Sequence, residues 1–356
     1  MRGRRGLCAG LLLGGLLLGA PAGLQAEGAA AGLHPAELVP ASLALLLEFD
    51  LDRLRQHGPP EAVAHLEQAL SRVGVATQGL RRAVLAATPD ATVPEAQRPL
   101  LLVLEADGEA PDLSRLRERL GDGSPLVTAH QRGVTCRRGR QLGLCVLPEG
   151  PVVFGSVALL PAVLDRWPRR FLGPSTPARR AGGRGGRSVW QEAAPLFQRI
   201  GAGEALVRIW SRVTPSMRRD LLGAGLPAVP LELVGAARAD QGQGVELRAL
   251  GWMAAPDEAS ALGGWLRQRM LALSGQTQIQ LLGLAGLMRA IEVGTSGAEV
   301  TLRLSLSRAE YVGLLERLAG LGALLAGGPV QPPSSSSSPQ KTEKTAGKKY
   351  NLTGSR

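Results

Sequence analysis

The chain has 356 residues, 44% of them hydrophobic and 3% aromatic, with 47 Gly, 25 Pro and a formal charge of +11. That length holds one large or two modest domains, Leu, Val and Ala must fill the cores, and the absence of a Gly-X-Y period excludes a collagen-like chain. The charge argues against a nucleic-acid groove. It is concentrated before the first apolar run (Arg2, Arg4, Arg5), between Arg166 and Arg187, and in the tail from Lys341, which leaves a body close to neutral.

Residues 1–26, MRGRRGLCAGLLLGGLLLGAPAGLQA, read as a secretory signal peptide. Three arginines form the charged start, Leu7 to Ala20 the apolar core, and Ala22 or Ala26 the small residue before cleavage. The competing reading is a retained anchor. The apolar core is short for a bilayer span, and Gly14, Gly15 and Gly19 weaken it as a permanent helix. Cys8 lies inside the apolar run, which is not the place of a lipoprotein cysteine. No later segment has the length and continuous apolar character of a span, so the mature chain is expected to lack a transmembrane segment.

The first α+β domain is expected over 33–167. LALLLEF, 43–49, reads as a strand, and Asp50 and Asp52 as the acidic start of a helical turn. A helix follows over 61–73, where Val63, Leu66, Leu70 and Val73 form a stripe between Pro60 and Gly74. Strands are expected at 82–87 and 99–107, the second buried on both faces. DLSRLRERLG, from Asp112, reads as a helix. Strands at 126–130, 133–136 and 151–156 and a helix over 157–167 complete the unit.

GVTCRRGRQLGLCVL, 133–147, holds two of the three cysteines. A turn centred between Arg140 and Gln141 sets Cys136 directly opposite Cys145, at the spacing of a cross-strand disulfide, and an oxidising compartment favours the bond. Two buried reduced thiols remain the alternative. A redox-active pair lacks the Cys-x-x-Cys spacing, and two sulfurs with scattered histidines make no four-ligand metal set.

RRFLGPSTPARRAGGRGGRS lies within residues 168–188, a flexible basic linker. Its alternative role is contact with an anionic lipid or polysaccharide. The second α+β domain, 189–326, is expected to open with the strand EALVRIW, 204–210, and the helix PSMRRDLLG, 215–223. Hairpin strands within 230–254 come next, with Val245, Leu247, Ala249 and Gly251 on one face and Glu246 and Arg248 on the other. Helices follow from Asp257 and over 279–290, then the alternating strand GAEVTLRLSLS, 297–307. Ser307 and Glu310 form a capping box for a last helix. Residues 327–356 read as a disordered tail carrying a sequon at Asn351–Thr353. The fold class is therefore α+β, in two mixed helix/sheet units with a similar order of elements. They are related by duplication or merely alike.

LALLLEFDLDRL, PVVFGSVALLPAVLDRW and VTLRLSLSRAEYVGLLERL resemble poorly characterised exported bacterial α+β proteins, in which a short strand is followed by a helix that covers the sheet. The resemblance implies an exported binding or structural protein and transfers no active site. The chain has no nucleophile elbow, phosphate loop or zinc-protease spacing. It names no catalytic, cofactor-binding or metal-ligating residue and calls for no cofactor. Two classes of function follow. The first is a periplasmic or secreted noncatalytic envelope protein, whose partner is another envelope protein or an anionic surface polymer. The second is an envelope hydrolase or apolar-ligand-binding protein with a site between the domains; convergence of Asp50, Asp52 and His130 in one pocket would favour the hydrolase. The sequence does not set the oligomeric state.

Overall fold

The computed structural model describes residues 33–314 apart from 73–74, 76, 90–92, 94–97, 108–126, 132, 149, 168–186, 241–243 and 282. The signal peptide, the helix expected from Asp112, most of the basic linker and the tail lie outside the described residues.

In the first half, β1 (Leu45–Asp50) runs into α1 (Leu51–His57) and α2 (Pro60–Arg72), then β2 (Leu80–Ala87) and β3 (Leu100–Ala106). Two hairpins follow, β4 (Val127–Gln131) with β5 (Val134–Arg138) and β6 (Leu142–Val146) with β7 (Val152–Ser156), and α3 (Leu160–Arg166) closes the half. The second half is α4 (Val189–Arg199), β8 (Val207–Arg212), α5 (Pro215–Gly223), β9 (Glu232–Ala239), β10 (Val245–Trp252), α6 (Pro256–Ser274), α7 (Thr277–Leu281), α8 (Ala285–Ala290), β11 (Glu292–Ser296) and β12 (Glu299–Leu306). Among the described residues no helix is long and apolar enough to cross a membrane.

The strands form one antiparallel sheet in the order β11-β12-β10-β9-β8-β1-β2-β3-β7-β6-β5-β4. Both halves lay down their strands alike. The first strand pairs with the second and the second with the third, and the last strand of the half returns beside the third. The halves meet where β1 pairs with β8, Leu46 opposite Trp210 and Glu48 opposite Arg208.

The local signals act as simple chemistry requires. Asp50 caps α1 by accepting from the Arg53 amide at 3.0 Å. Thr214 caps α5 by accepting from the Met217 amide. Ser307 and Glu310 exchange the two hydrogen bonds of a capping box. The Ser307 hydroxyl and amide both donate to the Glu310 carboxylate and hold it below its ordinary pKa.

Three features depart from the sequence expectations. Residues 189–199 form a helix in spite of Pro195, which removes one backbone donor. A Ser188–Gln191 capping box starts it, and Val189, Ala193 and Phe197 at four-residue steps bury its stripe. Residues 204–210 are not all strand, since Ala202–Glu204 is a 3-10 turn and β8 starts at Val207. The helix expected over 279–290 is two short helices, and a further strand, β11, precedes the turn at Gly297, whose φ is +54°.

Alternation puts the main core on one face of the sheet. Leu46, Val84, Leu101, Val103, Val153, Trp210, Val234 and Leu250 pack there under Pro35–Leu38, α3 and α4. A smaller cluster on the opposite face joins α6 (Ala259, Leu262) to Met253 and Val300. One row on the α4 face crosses all twelve strands: Glu292, Arg303, Arg248, Ala236, Arg208, Glu48, Val84, Val103, Val153, Cys145, Cys136 and Ala129. It is apolar toward β4 and charged toward β11.

Cys136 and Cys145 stand opposite each other in that row, fully buried, with Cα atoms 4.3 Å apart and sulfurs at bonding distance, 2.09 Å. The expected result for protein isolated in the presence of an alkylating agent is that neither sulfur is modified until the protein is unfolded and reduced. The bond itself should contribute at most about 2–3 kcal/mol, read as the stability difference between oxidised and reduced protein, because the closed loop is short. A mass spectrum with two alkylated thiols in unreduced, freshly isolated protein would contradict the bond.

Candidate functional site: an arginine groove braced by a buried ionic band

Glu48 lies in the middle of the sheet and is 1% exposed. Its Oε1 receives three groups: Arg208 Nη1 at 2.8 Å, Arg82 Nε at 3.2 Å and His34 Nε2 at 3.3 Å. The His34 ring is oriented from its other side. Nδ1 accepts from the Ala36 amide at 3.3 Å, so the proton of the neutral ring sits on Nε2 and points to Glu48. The ring stacks on Trp190 of α4, centroids 4.0 Å apart. Burial pushes the Glu48 carboxyl up, but the His34 hydrogen bond and the Arg208 and Arg82 charges outweigh it and hold the group at about 2.

A second buried glutamate repeats the arrangement on β10. Glu246 Oε2 accepts from Arg238 Nη2 at 2.7 Å, and Oε1 faces Arg303 Nε at 2.6 Å and Arg248 Nε at 2.9 Å. Burial again opposes ionisation. The hydrogen bonds from Arg238, Arg248 and Arg303 outweigh it and hold the carboxyl at about 2.

One short loop ties the two clusters together. Gly201, at φ +66°, turns the chain out of α4 so that three consecutive carbonyls face the arginines. Gly201 O accepts from Arg238 Nη1, Ala202 O from Arg208 Nε, and Gly203 O from both Arg208 Nη2 and Arg53 Nη1, all between 2.8 and 3.0 Å. The charges on the α4 face therefore form one continuous band.

At the β11 end this band opens into a groove of about 640 Å³. Arg199 and Ile200 form one wall. The floor is Arg248, Ala249 and Leu250 of β10, Glu299 and Thr301 to Arg303 of β12, and Glu292 to Gly294 of β11. Alternation explains the charge: Arg248, Arg303 and Glu292 share one cross-strand row, and Leu250, Thr301 and Gly294 share the next. Arg199 pairs with Glu299 and lies over the Trp252 ring, 4.5 Å from its centroid.

Arg248 and Arg303 both spend their Nε on Glu246, and their Nη groups have no partner among the described residues. Two guanidinium edges, fixed from below and 35% and 55% exposed, suit bidentate contacts to a carboxylate or phosphate. No histidine or cysteine lines the groove.

Asp50, Asp52 and His130 do not meet. Asp50 caps α1 beside Arg82, Asp52 pairs with Arg55 and Arg81, and His130 lies on β4, with β2, β3, β7, β6 and β5 between it and β1. The pocket that would have favoured a hydrolase is thus not assembled from these residues. No single segment announces the groove, because its arginines come from α4, β10 and β12. The one local signal is Glu246-x-Arg248, two residues that alternation places on the same face.

The described residues define an α+β protein whose strands join in a single antiparallel sheet, with an ionic band buried on one face and an arginine groove at one end. Crystal form III of TP0453 is similar over 81% of this chain and 99% of that chain, at 12% identity and a TM-score of 0.41. Crystal form I is similar over 81% and 98%, at 9% identity and the same TM-score. The likeness assigns neither a family nor an activity. The chain matches no protein-family model and no curated protein.

Proposed function

We propose that the chain is an exported, noncatalytic binding protein of the bacterial cell envelope and that its groove takes an anionic surface polymer. In this reading residues 1–26 are removed on export, leaving a periplasmic or secreted protein. Units 33–167 and 189–326 are its two α+β domains, joined by the basic linker 168–188. What carries the reading is the pair of Arg248 and Arg303 edges, anchored on one carboxylate and unpartnered within the groove. A buried counter-charge that fixes the arginine stems lowers the ordering cost of binding an anion.

Two probes test it, polygalacturonate for carboxylates and inorganic polyphosphate for phosphates. Binding to one of them should weaken about a hundredfold or more in Arg248→Gln/Arg303→Gln, each lost charge-assisted contact being worth about 1.5–3 kcal/mol. Arg269→Gln, on the exposed surface of α6, should bind as the parent does. Equal binding by both variants would remove the groove from the proposal. Cell fractionation with N-terminal sequencing tests location separately: a soluble cytoplasmic chain retaining Met1 would overturn export.

A further inference from the structure

The opposite end of the sheet carries a second surface. β4 is its last strand and, among the described strands, pairs only with β5. The disulfide pair reveals which backbone groups β4 leaves open. A Cα separation of 4.3 Å marks Cys136 and Cys145 as a non-hydrogen-bonded pair, so the Cys136 amide and carbonyl turn away from β6 toward β4. They meet Ala129, which therefore turns its own groups inward to β5. By alternation, Thr128 and His130 present their amides and carbonyls outward.

The charge of this end is one-sided. From Gly123 to Pro148 the sequence contains no Asp or Glu. Arg137 and Arg140 are exposed, Arg138 is half-buried, and exposed Val127 adds an apolar contact at the start of β4. Pairing two copies of this edge would bring arginine against arginine, which charged edges serve to prevent. An acidic strand would instead neutralise the arginines while filling the open hydrogen-bonding row.

We infer that the β4 edge adds a strand, and that its occupant is an extended acidic segment of a partner protein. The main chain of that segment pairs with Thr128 and His130, and its carboxylates reach Arg137 and Arg140. This surface is independent of the groove at β11.

The probe is a short capped peptide alternating glutamate and valine, titrated by fluorescence anisotropy against the full chain. Binding should weaken about tenfold or more in Arg137→Glu/Arg140→Glu. It should be lost when alternate peptide amides are N-methylated, and bound peptide should slow hydrogen exchange at the Thr128 and His130 amides. Thr128→Pro removes an outward donor that the β4–β5 ladder does not use. It should abolish binding with an unchanged melting temperature, and the exchange measurement decides if that variant does not fold. Three results would overturn the inference: no binding, binding indifferent to N-methylation (attraction between charges without strand pairing), or self-association of the free chain that Thr128→Pro abolishes.

Discussion

Glu48→Ala is expected to cost about 3–5 kcal/mol of folding stability, measured as a shift in urea midpoint at neutral pH. The carboxylate is the common counter-ion of Arg208 and Arg82 and the acceptor for His34. Its removal leaves Arg208, itself 8% exposed, without a charge partner. Breaking one side of a buried pair is far costlier than replacing both. Glu48→Leu combined with Arg208→Met should therefore cost clearly less than the sum of the two single changes. Additive costs would show that the pair is not coupled.

The same group shapes the acid limb of stability. Its pKa is about 2 in the folded chain against an ordinary 4.5, so the native state holds the proton less tightly than the unfolded one. The stability it contributes is complete above about pH 4.5 and is lost as pH falls toward 2. Glu48→Gln should flatten stability against pH over that window. Part of the slope should survive, because Glu246 is depressed to about 2 as well. An unchanged slope would mean that folding does not shift the Glu48 pKa.

Trp210→Ala should cost about 3–5 kcal/mol, the range for a large core side chain cut to a methyl group. Trp210 is fully buried at the join between the halves, opposite Leu46 on β1 and Val234 on β9. Around it are β-strands on both sides, which cannot collapse inward to fill the space. Trp210→Phe should cost markedly less, since it keeps most of the volume and deletes an indole N–H that has no hydrogen-bond partner among the described residues. Trp265, half-buried on α6, gives the comparison: its alanine variant should lose no more than about 2 kcal/mol. Equal costs at the two tryptophans would place the critical packing elsewhere than the join.

Much of the architecture is written locally. The alternation of Val300, Leu302, Leu304 and Leu306 identifies β12, Ser307 and Glu310 mark the helix after it, and the spacing of Cys136 and Cys145 about Arg140–Gln141 sets the register of β5 on β6. What is not written locally depends on partners distant in sequence. Residues 189–199 contain a proline, and tertiary burial of Val189, Ala193 and Phe197 decides for helix. Residues 292–296 have only half-buried or exposed side chains, so no apolar pattern announces β11. LALLLEF announces a strand but not that Arg208 will sit opposite its glutamate. For the same reason the groove cannot be read from any one segment.

The pairing of β1 with β8 also has a consequence in time. Glu48 and Arg208 are 160 residues apart in the chain. At a synthesis rate of about 5–20 residues per second, β1 waits roughly 8–30 s for its neighbour to be made. For that interval the side of Leu45 to Asp50 that will face β8 is a bare, leucine-rich edge, and Glu48 has Arg82 but not yet Arg208. The nascent chain is thus most vulnerable to sticking midway through translation, and a holding chaperone would have most to protect at that stage.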